Sequence, residues 1–156
     1  MKDLITLKNM DSTEYQRYLN NAIKNYAAEH VKAGNWSEEE AIDKATNEYN
    51  KLLPEGEKTP NHKLFTIHAE DKEVGMIWLG VRSEEKGFIY DFNIWEGNQG
   101  RGYGKQAMKE IEVVGKSLGL KSIRLHVFGH NEVAWNLYKK LGYIETDIVM
   151  EKNLEV

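Results

Sequence analysis

The sequence predicts an α/β protein of the α+β type, with a mixed, mostly antiparallel central sheet flanked by helices. Three observations point there. Lys63 to Glu96 holds three β-prone apolar runs separated by short polar turns, which reads as an antiparallel meander. Two polar-rich segments of helical period precede that tract. A strand–helix–strand pattern follows it, and such a crossover implies a parallel pairing.

The elements follow in order. Leu4 to Leu7 is a short strand, and Asp11, Ser12 and Thr13 offer N-cap oxygens to a first helix. That helix carries Tyr15, Leu19, Ala22, Ile23, Tyr26, Ala27 and Val31 at helical spacing and stops near Gly34-Asn35. Ser37 and Glu40 form a capping box for a second helix. Its apolar face is Ala41, Ala45, Tyr49, Leu52 and Leu53, and Pro54 ends it. The meander strands are Lys63 to Ala69, Val74 to Val81 and Gly87 to Glu96. A third helix begins near Arg101, buries Ala107, Ile111, Val114 and Leu118, and closes at Gly119. Ile123 to Phe128 is the next strand. Asn131 caps a last helix with Ala134, Leu137, Tyr138 and Leu141 on its apolar face, and Gly142 ends it. Tyr143 to Met150 is the final strand. The order is β-α-α-β-β-β-α-β-α-β, read as a single domain over residues 1–156 with no internal repeat or linker.

Composition narrows the classes. A chain of 156 residues suits one domain with a sizeable core. A net charge of −4 argues against a general nucleic-acid binder and is compatible with a cationic substrate. The absence of cysteine removes disulfides, thiolate metal sites and a cysteine nucleophile, and fits a reducing cytoplasm. Met76 to Val81 is far too short to span a membrane, and Met1 to Leu7 lacks a signal-peptide core. A cytoplasmic protein without membrane or nucleic-acid partners is expected.

Gln99 to Gly104 is the densest chemical signal, with Gly100, Gly102 and Gly104 alternating between a strand and a helix. Missing Cβ atoms let backbone amides approach an anion, and the following helix adds unpaired N–H groups and its positive dipole end. Two nucleotide readings fail on spacing. A Walker loop needs glycine where Gln99 stands and a hydroxyl where Gln106 stands. A dinucleotide fingerprint needs its third glycine one residue later than Gly104.

The pattern Gln99-x-x-Gly102-x-Gly104 resembles the coenzyme-A pyrophosphate loop of the GCN5-related N-acetyltransferase (GNAT) superfamily. Asn131, Ala134, Leu137, Tyr138, Leu141, Gly142 and Tyr143 resemble that family's last helix, at the expected distance. The likeness covers essentially the whole chain, is strongest from Phe88 to Tyr143, and is closest to small Gram-positive bacterial members. It implies a GNAT fold, acetyl-CoA as cosubstrate and an amine acceptor. It implies that the amides of Gln99, Gly100, Arg101, Gly102, Tyr103, Gly104 and Lys105 hold the pyrophosphate, with Arg101 and Lys105 adding charge. Ile94, Trp95 and Glu96 would pair with the pantetheine arm at a bulged, splayed strand. Asn131 would touch the cofactor as well as cap its helix. Tyr138 would protonate the departing thiolate, which is general acid work.

Two side chains compete to accept the amine's proton. His126 alternates with the core residues Leu125 and Val127 and titrates in the useful range. Asp91 sits inside an apolar run, where burial would raise its pKa. Glu96 is a weaker third. His126 and His130 lack a third ligand, so no metal is expected. Tyr15, Tyr26, Trp36 and Tyr49 are candidates to line an acceptor groove. The implied activity is acetyl transfer from thioester to primary amine in a ternary complex. A non-catalytic acyl-CoA sensor of the same fold is the alternative, and monomer and homodimer both stay open.

Overall fold

The longest strand, β3 at Lys72–Ser83, is the middle of a five-stranded sheet in a computed structural model that describes residues 4–155. Residues 1–3 and 156 of the single-domain reading lie outside the described residues. The sheet runs β1 (Ile5–Asn9), β2 (His62–Ala69), β3, β4 (Lys86–Ile94), β5 (Ser122–Leu125) in chain order. The first three pairings are antiparallel and β4–β5 is parallel. The meander and the crossover are therefore as the apolar runs indicate.

Four helices cover the sheet: α1 (Ser12–Lys32), α2 (Glu38–Leu52), α3 (Tyr103–Ser117) and α4 (Glu132–Lys140). Strand alternation divides the core between them. Met76 and Trp78 of β3 pack with Tyr15, Tyr18 and Ala22 of α1 and Tyr49 of α2. Ile77 and Leu79 pack with Ala107, Met108 and Ile111 of α3. None of the four β3 side chains is more than 2% exposed. Each such burial stabilises the fold by about 1.5–3 kcal/mol. No helix among the described residues is long and apolar enough to cross a membrane.

The helix ends follow local chemistry. Asp11 Oδ1 accepts the Glu14 N–H at 2.8 Å, and Glu14 Oε1 accepts the Asp11 N–H at 3.0 Å, a reciprocal cap. Glu40 Oε1 accepts the Ser37 N–H at 3.3 Å at the start of α2. Asn131 Oδ1 accepts the Ala134 N–H at 3.1 Å and so caps α4. A 3₁₀ turn, Gly56–Lys58, leads from α2 into β2.

Gly75 shows how closely β3 and β4 approach. A Cβ there would stand 2.2 Å from the Asn93 carbonyl oxygen, so backbone would have to move. Gly75→Ala is expected to destabilise the protein by about 1–3 kcal/mol, read from the urea midpoint at unchanged slope.

Three expectations are corrected. Tyr143 to Met150 is not a strand, so the order ends after α4 and the sheet has one strand fewer. No backbone–backbone hydrogen bond among the described residues reaches 144–155. Alternating apolar side chains specify a face, but a strand also needs an edge to pair with. β5 ends at Leu125 rather than Phe128, and α3 starts at Tyr103 rather than Arg101.

Candidate active site

β4 and β5 pair only from Lys86↔Ser122 to Ile89↔Leu125, and beyond that point they part. A bulge in β4 coincides with the parting. Trp78 of β3 faces Asp91 while Leu79 faces Ile89, so Tyr90 is an extra residue. Strict alternation would send Tyr90 and Asp91 to opposite faces. The bulge instead turns both toward α1: Tyr90 stacks on Trp78 with centroids 4.7 Å apart, and Asp91 meets Tyr18.

Asp91 is held by two donors. Tyr18 Oη donates to Oδ2 at 2.5 Å, and the Phe92 N–H donates to Oδ1 at 2.9 Å. Both bonds favour the carboxylate, yet burial outweighs them and raises the Asp91 pKa. The Tyr138 phenol is pushed up to about 12, first by burial and then by the Asp91 charge. Burial also raises Tyr18, with the Asp91 charge adding to it. These tyrosines stay protonated at neutral pH and serve as hydrogen-bond donors.

Asp91, His126, Asn131 and Tyr138 all line one cleft of roughly 950 Å³ between the parted strands, α1 and α4. The sequence separates them by up to 47 positions, and the splay brings them together. His126 is open to solvent in the coil after β5, and partial desolvation by the cleft walls lowers its pKa. Its ring meets Phe128 edge-on at 4.9 Å. Glu14, Glu48 and Glu73 also line the cleft and outnumber Arg17 and Arg82. Arg17 is paired with Glu73 at 2.8 Å.

The glycine turn lies beyond β4 and opens α3. Gly100 and Gly102 have φ of +79° and +81°, a left-handed backbone that glycine takes without a steric penalty. A Cβ on either would meet nothing within 4 Å, so the turn faces open space. Gly102 is the N-cap and supplies no side-chain acceptor, and the first turn of α3 has no acidic residue. By helix geometry the amides of Gly104 and Lys105 have no acceptor within α3. Arg101 and Lys105 are exposed beside them. That donor set suits a phosphate group. Gly104 packs toward the core: a Cβ there would sit in ordinary van der Waals contact with Leu137 of α4 at 3.4 Å and Phe92 at 3.5 Å. Tyr103 is buried against the α3 core.

The strand end is less free than its neighbours upstream. The Ile94 carbonyl accepts from Gln99 Nε2 at 2.9 Å, and the Trp95 N–H donates to Val74 at 2.8 Å. Trp95 lines the cleft and donates through Nε1 to Glu73 at 3.1 Å. Glu96 is exposed outside the cleft lining. The edge of β4 left open by β5 begins earlier, at Tyr90.

Of the aromatic groove candidates, Tyr26 and Tyr49 line the cleft. Tyr15 is 4% exposed within the core, and Trp36 stacks on His30 at 4.0 Å, behind the wall. The sequence reading missed Tyr18 and His30. Both belong to an i, i+4 stripe, Tyr18-Ala22-Tyr26-His30, which faces the cleft.

The family model described as "Acetyltransferase (GNAT) family" matches residues 19–143. The chain is 40% identical to the uncharacterized N-acetyltransferase YycN of Bacillus subtilis, over 96% of this chain and 99% of that protein. The crystal structure of YycN superposes with a TM-score of 0.94, covering 98% of this chain and 100% of that one. The uncharacterized N-acetyltransferase YdgE, also of Bacillus subtilis, is 33% identical over 96% of this chain and 98% of its own length. The PaiA N-acetyltransferase of Thermoplasma acidophilum, crystallised with coenzyme A, shares the fold at a TM-score of 0.66 and 22% identity, over 94% of this chain and 93% of that one. The chain belongs to the acetyltransferase (GNAT) family, as an N-acetyltransferase.

Proposed function

We propose that the protein moves the acetyl group of acetyl-CoA directly to a primary amine, with both substrates held in the cleft where β4 and β5 part. One observation carries the reading: Asp91, His126 and Tyr138 line that single opening. Acetyl-CoA supplies an activated thioester. The rest is the work of this chain's residues. Amides of Gln99 to Lys105 hold the pyrophosphate, helped by Arg101 and Lys105, and the edge of β4 that β5 leaves open from Tyr90 onward orients the arm. Asn131 borders the same arm. Tyr138 donates a hydrogen bond to the sulfur as it leaves. The acidic lining of Glu14, Glu48, Glu73 and Asp91 favours a cationic amine.

Only the neutral amine attacks a thioester, so a proton must leave first. His126 takes it and passes it to water, since its ring is solvent-accessible. The enclosed carboxylate of Asp91, engaged by Tyr18, attracts and orients the ammonium.

The pH profile tests that division. A protonated imidazole accepts nothing, so kcat/KM is expected to fall on the acid side with a midpoint below 6.5, the ordinary histidine value. His126→Gln is expected to remove that limb and to lower the rate by roughly 10²-fold. An unchanged limb in the variant transfers the proton to Asp91. The reading as a whole is tested by a panel of polyamines, aminoglycosides, amino acids and peptides with acetyl-CoA. Acetyl-CoA binding without transfer to any of them favours the sensor reading instead.

A further inference from the structure

The cleft holds a cation that no carboxylate of the described residues neutralises. Arg17 of its lining is paired with Glu73 at 2.8 Å, whereas Arg82 belongs to none of the ion pairs among the described residues. Arg82 is exposed near the end of β3, yet two contacts fix it. Its guanidinium carbon sits 3.6 Å from the centre of the Phe88 ring, and Nε donates to Tyr90 Oη at 3.1 Å. These contacts use one face and one edge of the planar group. The two amino groups of the fork are left for a ligand, in a geometry that matches a carboxylate.

The wall between Arg82 and Asp91 is aromatic. The Phe88 and Tyr90 rings lie 4.8 Å apart, and Tyr90 stacks on the buried Trp78. Gly80 makes room for this wall. A Cβ there would overlap Tyr90 Cε2 and stand 3.1 Å from the His62 ring. With no side chain at 80, the Tyr90 ring lies across β3 and its hydroxyl reaches Arg82. Arg82, Phe88, Tyr90 and Asp91 all line the cleft.

Asp91 faces Trp78 across the sheet, and Arg82 stands four residues further along β3, about 13 Å away at the backbone. The Arg82 side chain folds back over Phe88 and Tyr90, which shortens that span. A single α-amino acid carries its amine and carboxylate too close together to reach both groups. A chain of about two to four residues spans roughly 7–14 Å and reaches both.

We propose that Arg82 is an anion subsite of this cleft, and that the acceptor is a short peptide with its amine at Asp91 and its C-terminal carboxylate on Arg82. The amine end rests on the acetyl-transfer reading above, and the carboxylate end rests on the geometry of Arg82. Planar peptide groups between the two ends lie against Phe88 and Tyr90. A polyamine would set a second ammonium against Arg82. A phosphate dianion would meet the acidic lining with one cation to hold it. A peptide carboxylate leaves both ends neutralised.

Trialanine and its C-terminal amide differ in the terminal charge, and together they test the subsite. Calorimetric titration into protein saturated with free CoA reads binding without turnover. Trialanine is expected to bind at least about tenfold more tightly than its amide, and Arg82→Gln is expected to bring the two within about twofold. Tyr90→Phe, which releases Arg82 from its hydrogen bond, is expected to narrow the gap. Lys44→Gln, at a cation of α2 outside the cleft lining, is expected to keep it. With acetyl-CoA present, the same gap is expected in kcat/KM and is carried by KM. Equal wild-type affinities overturn the proposal, and so does a gap that survives Arg82→Gln. Acetylation of spermidine with neither peptide bound overturns it and leaves the acetyl-transfer reading standing. Trialanine held through Arg82, with no transfer to it or to any other amine, supports the subsite and counts against the transfer reading alone.

Discussion

Tyr138→Phe is expected to lower kcat by roughly 10²-fold or more, which is about 2.7 kcal/mol of transition-state stabilisation, while the Kd for acetyl-CoA stays within about twofold. The ring would remain in place. It packs on the α3-side core and against Tyr143 at a centroid distance of 6.0 Å, and phenylalanine fills the same space. Only the hydroxyl is lost. Its pKa of about 12 keeps it protonated at every working pH, so the function lost is donation. That value also sharpens the role. A phenol so far above its ordinary range gives up a full proton to a thiolate uphill, and hydrogen bonding to the developing charge is its main contribution. The measurement pairs steady-state kinetics on an accepted amine with calorimetric binding of acetyl-CoA. Equal kcat in variant and wild type would remove Tyr138 from the chemistry.

Gly102→Glu is expected to act on binding instead. It puts a carboxylate where a pyrophosphate would lie, at the unneutralised N-terminus of α3. Repulsion of two charges about 4 Å apart costs about 1–4 kcal/mol between bulk water and a partly screened surface, so affinity should fall between roughly fivefold and a thousandfold. The left-handed φ of +81° adds backbone strain, but a Cβ there meets nothing within 4 Å, so the chain should still fold. The stabilisation that acetyl-CoA gives wild type in a thermal melt should disappear, while the melting point of the free protein changes by only a few degrees. A retained acetyl-CoA shift would mean that this turn does not hold the phosphates.

Much of the candidate site was legible in the chain because its signals are local. The glycine spacing, the Asn131 cap and the aromatic at Tyr138 depend on neighbours within a turn or two. So does the anomaly of a carboxylate inside the run around Asp91. Other features were not legible. The bulge at Tyr90 depends on the register with β3, and one extra residue changes which face Asp91 occupies. Tyr18 became a partner of Asp91 only when α1 crossed that face, 73 positions away in the chain. The segment 143–150 went the other way. Its alternation is strand-like, yet no edge within the described chain pairs with it.

The sequence by itself determined the element order through α4, the mixed sheet, the glycine turn that opens α3 and the family resemblance. Periodicity, caps and glycine conformations act over a few residues and need no knowledge of the rest. The tertiary structure decided where β4 and β5 part, which side chains meet in the opening, and how their pKa values move. Those depend on register and burial, and both arise only when distant segments pack. For the same reason the fate of residues 144–150 depends on an edge that the sequence around them does not contain.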